Sequence, residues 1–85
     1  FVRSIWDYYR YTGDEVLVRE MWPVIQQATR GALQSWTDVS GLLTHADADT
    51  WMDARGPDGP WSSRGNRAIE IQFLWRDQLE ITRYL

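Results

Sequence analysis

Five carboxylates, Asp38, Asp47, Asp49, Asp53 and Asp58, fall between Thr37 and Arg67, interleaved with Trp51, Trp61 and Arg64. Aromatic faces stack on the apolar face of a pyranose, while carboxylates and guanidinium groups hydrogen-bond its hydroxyls. An ordered stretch of this make-up is what sugar recognition requires. Each candidate has a plainer alternative. Asp53 is either a turn-capping loop residue or one half of the carboxylate pair that cleaves a glycosidic bond. Trp51 is a core anchor or a sugar platform. Glu70, near the start of an apolar segment, suits a helix N-terminus as a dipole-stabilised acid. Burial among Ile69, Ile71 and Phe73 would instead demand a partner. Arg64 is the candidate, with room for a sugar hydroxyl between the two. Asp49 is a hydroxyl ligand or a solvated acid.

Other chemistries fit poorly. Asp47-x-Asp49-x-x-x-Asp53 with Asp58 faintly resembles a calcium loop. However, Trp51 and Met52 stand where such a loop needs an oxygen ligand and a glycine, so no metal is expected. His45 is the single histidine and the chain has no cysteine. A His cluster, a thiol nucleophile, a disulfide and a Cys-based zinc site are therefore unavailable. His45 reads as a hydrogen-bonding loop residue. No glycine-rich phosphate motif is present, and no cofactor is expected. The net charge of −3 carries no basic cluster, which argues against nucleic acid. No apolar run approaches the ~18 residues of a membrane span, and no signal peptide is visible. All nine basic residues are Arg, a bias open to genome composition or heat adaptation.

The elements that must position these residues are legible from periodicity. Val2, Ile5, Trp6 and Tyr9 follow i, i+3, i+4, i+7, one stripe of a helix. Gly13 suits a left-handed helix end and Asp14 an N-cap. Leu17, Met21, Val24, Ile25, Ala28 and Ala32 continue the period through a second helix. Pro23 inside it predicts a kink or a restart near Trp22. The pair forms a helical hairpin over 1–36, and the last helix spans 67–85. Expected bounds are 2–12, 15–35 and 67–84, with a short strand pair near Leu42–Thr44 and Thr50–Met52 tolerated. The loop from 37 to 66 is long for a compact protein, which marks it as functional or disordered. Leu42, Leu43, Trp51, Met52 and Trp61 offer it apolar anchors, against disorder.

The whole is small for what it contains. Six Trp, four Tyr and two Phe in 85 residues exceed what a core of this size can use. The last helix is apolar on nearly every side, at Ile69, Ile71, Phe73, Leu74 and Trp75. Such a helix belongs among other helices. Both ends, Phe1-Val2 and Ile81 to Leu85, read as cuts in a larger chain.

Gly41-Leu42-Leu43-Thr44-His45-Ala46-Asp47-Ala48-Asp49-Thr50-Trp51-Met52-Asp53-Ala54 resembles the Thr-Trp-Met-Asp signature of glycogen debranching enzymes, in their amylo-α-1,6-glucosidase domain. Gly59 to Trp75 resembles the family's next block, an Arg-bearing turn that runs into an Ala-Val-Glu-Ile-Gln-Ala-Leu-Trp helix. Tyr11-Thr12-Gly13-Asp14 also recurs among six-hairpin glycosidases. The resemblance implies an all-α fold, a fragment of an (α/α)6 barrel with its active site among loops at one end. It further implies inverting hydrolysis of α-1,6-linked glucose, with glycogen or branched dextrin as partner and a cytoplasmic location. On that footing Asp53 is the general acid, made a proton donor by apolar neighbours that raise its pKa. Trp51, Asp49, Arg64 and Glu70 bind substrate, and the second carboxylate lies beyond Leu85. Ser63 departs from the proline usual before the arginine, and Gly65-Asn66 from the usual turn residues. Those departures leave room for another α-glucoside substrate. Two alternatives remain: a glucoamylase- or trehalase-like relative, and a non-catalytic helical carbohydrate-binding or interaction module. Taken alone, the 85 residues are expected to be inactive and to self-associate through uncovered helix faces.

Overall fold

The computed structural model describes residues 1–85 and is mostly helical, with one small strand hairpin. Helix α1 spans Val2–Thr12, α2 spans Glu15–Ser35, and α3 spans Ile69–Tyr84. The strands β1, Arg55–Gly56, and β2, Gly59–Pro60, pair antiparallel with Arg55 opposite Pro60. An isolated bridge joins Thr37 to Leu43. Leu43 thus falls within one of the stretches tolerated above, but its partner is Thr37, and the two-strand hairpin lies beyond both stretches. The Pro57-Asp58 turn, followed by Gly59 at φ 112°, reverses the chain tightly where Thr50–Met52 does not.

The α1–α2 turn forms as its residues dictate. Gly13 takes φ 68°, ψ 12°, and its N–H closes on the Tyr9 carbonyl, a conformation a Cβ would strain. Asp14 then caps α2, its carboxylate accepting from the Val16 N–H at 3.0 Å. Tyr8 donates its hydroxyl to the same carboxylate at 2.9 Å. That bond holds the Asp14 carboxyl below its ordinary pKa and pushes the Tyr8 phenol up. Helix α2 runs through Pro23 without a break. Proline cannot donate to the Arg19 carbonyl, and an uninterrupted helix is the outcome in place of two.

The core is Val2, Ile5, Ile25 and Ile81, flanked by Trp6, Val18, Met21, Trp22 and Leu85. The α1 stripe lands as its periodicity demands. The α2 stripe is rotated: Val18, Met21, Trp22, Ile25 and Thr29 face inward, while Val24 and Ala28 are exposed. The rotation brings Thr29 against α3, where Gln78 donates to its hydroxyl at 3.0 Å and Thr82 lies 3.3 Å away. Those bonds satisfy a buried hydroxyl that would otherwise cost stability. Trp6 meets Tyr84 at a 5.9 Å ring separation, and Arg3 reaches Asp77 at 3.1 Å.

Only one face of α3 is used in this way. Trp75 and Ile81 are buried, yet Ile69, Phe73 and Leu74 are 68%, 64% and 63% exposed. Nine of 85 residues are buried, too few to cover all the apolar surface the chain carries. No helix is long and apolar enough to cross a membrane.

Candidate functional site on the loop from Thr37 to Arg67

Much of this loop is ordered by polar side chains that bind backbone. Asp38 begins it. Its Oδ1 accepts from the Ser40 N–H, the Ser40 hydroxyl and the Leu42 N–H at 2.8, 2.6 and 3.1 Å, and its Oδ2 accepts from Arg67 Nε. The Ser40 hydroxyl first, and then the Arg67 guanidinium, hold this carboxyl far below the usual carboxylate range. From α3, Gln72 clamps Leu43: its Nε2 donates to the Leu43 carbonyl at 2.8 Å, and its Oε1 accepts from the Leu43 N–H at 2.9 Å. One turn further on, the Trp75 indole N–H donates to the Gly41 carbonyl at 3.2 Å.

His45 completes the latch. Its Nε2 accepts from the Ala68 N–H at 2.8 Å, while its Nδ1 lies 2.7 Å from the Ala46 carbonyl. An acceptor at Nε2 and a carbonyl facing Nδ1 are both satisfied by the neutral Nδ1–H tautomer. These bonds also move a helix boundary. Arg67 and Ala68 are engaged by Asp38 and His45, so α3 begins at Ile69, two residues later than periodicity suggested.

Beyond the latch sits the charged centre. Asp47 Oδ1 accepts from the backbone N–H groups of Arg64 and Gly65 at 2.5 and 3.0 Å. Arg64 then reaches Glu70 Oε2 with Nη2 at 2.5 Å and Met52 Sδ with Nη1 at 3.4 Å. The partnership expected between Arg64 and Glu70 is therefore present. Both side chains are largely covered, and the Arg64 bond draws the Glu70 carboxyl below its ordinary pKa. Glu70 Oε1 is enclosed without a hydrogen-bond partner, an oxygen to which a donor is owed.

The remaining candidates lie outside this cluster. Asp53 follows Met52 directly and is exposed. Trp51 and Ala54 beside it are exposed as well, so the apolar enclosure expected around it is not formed within these residues. Asp49 is exposed and turns inward on its own loop, its carboxylate accepting from the Ala46 N–H at 3.3 Å. Trp51 and Trp61 are each 73% exposed and do not act as apolar anchors. The loop is seated by small residues, Ala48, Thr50 and Ala68, together with the polar bonds. Bulky indoles find no deep pocket under a loop lying across so few helices. No group of three or more His, Asp or Glu side chains converges as a metal site would.

Four positioning residues, Asp38, Asp47, Gln72 and the tautomer-locked His45, carry the loop geometry beyond what the candidate list named. Gln72 had a signal: it is a polar residue inside an apolar helix. Asp47 had none, because a loop aspartate reads as solvated until the N–H groups it caps are known.

A polar-latched loop thus presents aspartate, arginine, glutamate and two open indoles above a helix. Residues 1–85 match the family described as amylo-alpha-1,6-glucosidase. The chain belongs to that family, and with it to the glycogen-debranching glycoside hydrolases. No curated protein and no solved structure matched the chain.

Proposed function

We propose that this chain supplies a helical hairpin (1–36), the cleft loop (37–66) and an inner helix (67–85) of an (α/α)6 barrel. The intact enzyme hydrolyses α-1,6-glucosidic branch points of glycogen and related α-glucans with inversion. Asp53 is its general acid and protonates the leaving oxygen. A second carboxylate, supplied from outside these residues, activates water on the opposite face, roughly 6.5–9.5 Å away as inversion requires. Trp51 supports the sugar ring. Arg64 and Glu70 hold its hydroxyls, and Asp49 contributes a further hydroxyl ligand.

The Arg64 anchor carries this assignment. A guanidinium fixed by Glu70 at one nitrogen and Met52 at another pins the residue that precedes Asp53. The carboxyl of Asp53 is itself free toward solvent. A proton donor has to be aimed by its neighbours and still reach the glycosidic oxygen. Glu70 Oε1 supports the hydroxyl role, because a donor admitted beside Arg64 would satisfy it.

The full-length protein acting on a branched limit dextrin tests the reaction. Proton NMR of the first glucose released should show the β anomer, which then mutarotates. The α anomer as first product would overturn inversion, and maltose or longer products would overturn the linkage assignment.

A further inference from the structure

The β1–β2 hairpin holds its tryptophan in an unusual way. Trp61 continues the pairing, its N–H donating to the Ala54 carbonyl at 2.9 Å. Its indole lies over Gly56. A Cβ on Gly56 would come within 2.9, 2.9 and 3.1 Å of Cε2, Cζ2 and Nε1. Near-equal distances to three adjoining ring atoms mean approach from the flat of the ring, since approach from the edge would leave Cε2 the farthest. Glycine is therefore the seat of one indole face. The residue is nonetheless 73% exposed, so the rest of the ring looks outward from a two-strand hairpin. Gly56, Pro57, Asp58, Gly59, Pro60 and Trp61 line an open groove of about 150 Å³ there.

A ring fixed from behind and open in front loses little freedom when a ligand lands on it. The ligand must match one flat apolar face and one carboxylate, Asp58, which is exposed and free to accept hydrogen bonds. A pyranose does so: axial C–H groups for the indole, hydroxyls for the carboxylate. We propose that this hairpin is an α-glucan-binding subsite, with Trp61 as the stacking platform and Asp58 as a hydroxyl acceptor, gripping a sugar of the polymer chain. The ligand class rests on the glycosidase reading above; the platform itself rests on the geometry of Gly56 and Trp61.

Isothermal titration of the full-length protein with maltotetraose, beside kinetics on branched dextrin, tests the proposal. Trp61→Leu keeps an apolar side chain and removes the flat ring. It should weaken maltotetraose binding roughly tenfold, a typical aromatic contribution, with the kinetic loss falling mainly on KM. Trp61→Phe should recover most of the binding. Gly56→Ala, which keeps the indole but displaces it from its seat, should give an intermediate loss. Unchanged circular dichroism would confirm that each variant is folded. Equal binding by wild type and Trp61→Leu would overturn the subsite, as would a Phe variant no better than Leu. The two readings fail separately. Ring-dependent maltotetraose binding by a protein that releases no glucose leaves the subsite and sinks the hydrolase, and glucose release with ring-independent binding does the reverse.

Discussion

At the scale of single residues, the contrast between Asp53 and Glu70 matters most. Glu70 is engaged by Arg64, whereas Asp53 lies exposed outside that pair. An engaged carboxylate is held ionised and serves as an acceptor. An unengaged one is left free to approach a glycosidic oxygen. Asp53→Asn in the full-length enzyme should lower kcat on branched dextrin by about 10²–10⁴-fold, the usual worth of a general acid. KM should change little. Glucosyl fluoride, whose departing fluoride needs little protonation, should lose much less rate in the same variant. Equal losses on both substrates would remove the acid role and favour binding or base chemistry for Asp53.

At the scale of elements, the loop and α3 behave as one unit because polar side chains cross between them. Asp38, His45 and Gln72 each satisfy backbone or guanidinium groups that a loop would otherwise leave to water. The bonds that Asp38 accepts from the Ser40 hydroxyl and then from Arg67 make the unit acid-sensitive. The carboxyl of Asp38 is depressed in the folded state, so its stabilisation is fully present above the unfolded value, about 4. It is lost as pH falls below that toward the folded value, because the unfolded chain then binds the proton more readily. Glu70, depressed by Arg64, acts in the same direction. Melting temperatures measured from pH 7 to pH 3 should therefore fall on the acid side in the wild type. Asp38→Asn should start lower at pH 7 and fall less steeply. An identical acid limb in the variant would show that Asp38 does not carry the linkage.

At the scale of the whole molecule, the three helices share one small core, and the outward face of α3 is left uncovered at Ile69, Phe73 and Leu74. A contiguous apolar face promotes association. The 85 residues on their own should sediment as more than a monomer, and Phe73→Glu should shift them toward one. They should release no glucose from branched dextrin, since inversion needs an acid and a base and the proposal places only the acid here. Glucose release by the purified 85 residues at the rate of a complete enzyme would overturn that placement.

Periodicity and capping residues were sufficient for the bounds of the first two helices. The bounds of α1 and α2 follow from Gly13, Asp14 and the apolar stripes, because a helix is a local structure with local signals. The Thr-Trp-Met-Asp stretch was likewise enough to indicate the family. The Arg64–Glu70 pair was legible too, six residues apart at a loop–helix junction where opposite charges meet. What needed the tertiary structure was everything set by contacts distant in sequence. The inward face of α2 depended on Thr29 finding Gln78 and Thr82. The start of α3 depended on His45 and Asp38 taking up Ala68 and Arg67. Whether Trp51 and Trp61 were buried or exposed depended on how much core the helices left to receive them. An indole's sequence neighbours say only that it is large and apolar, and its burial is decided by the volume that the rest of the chain encloses.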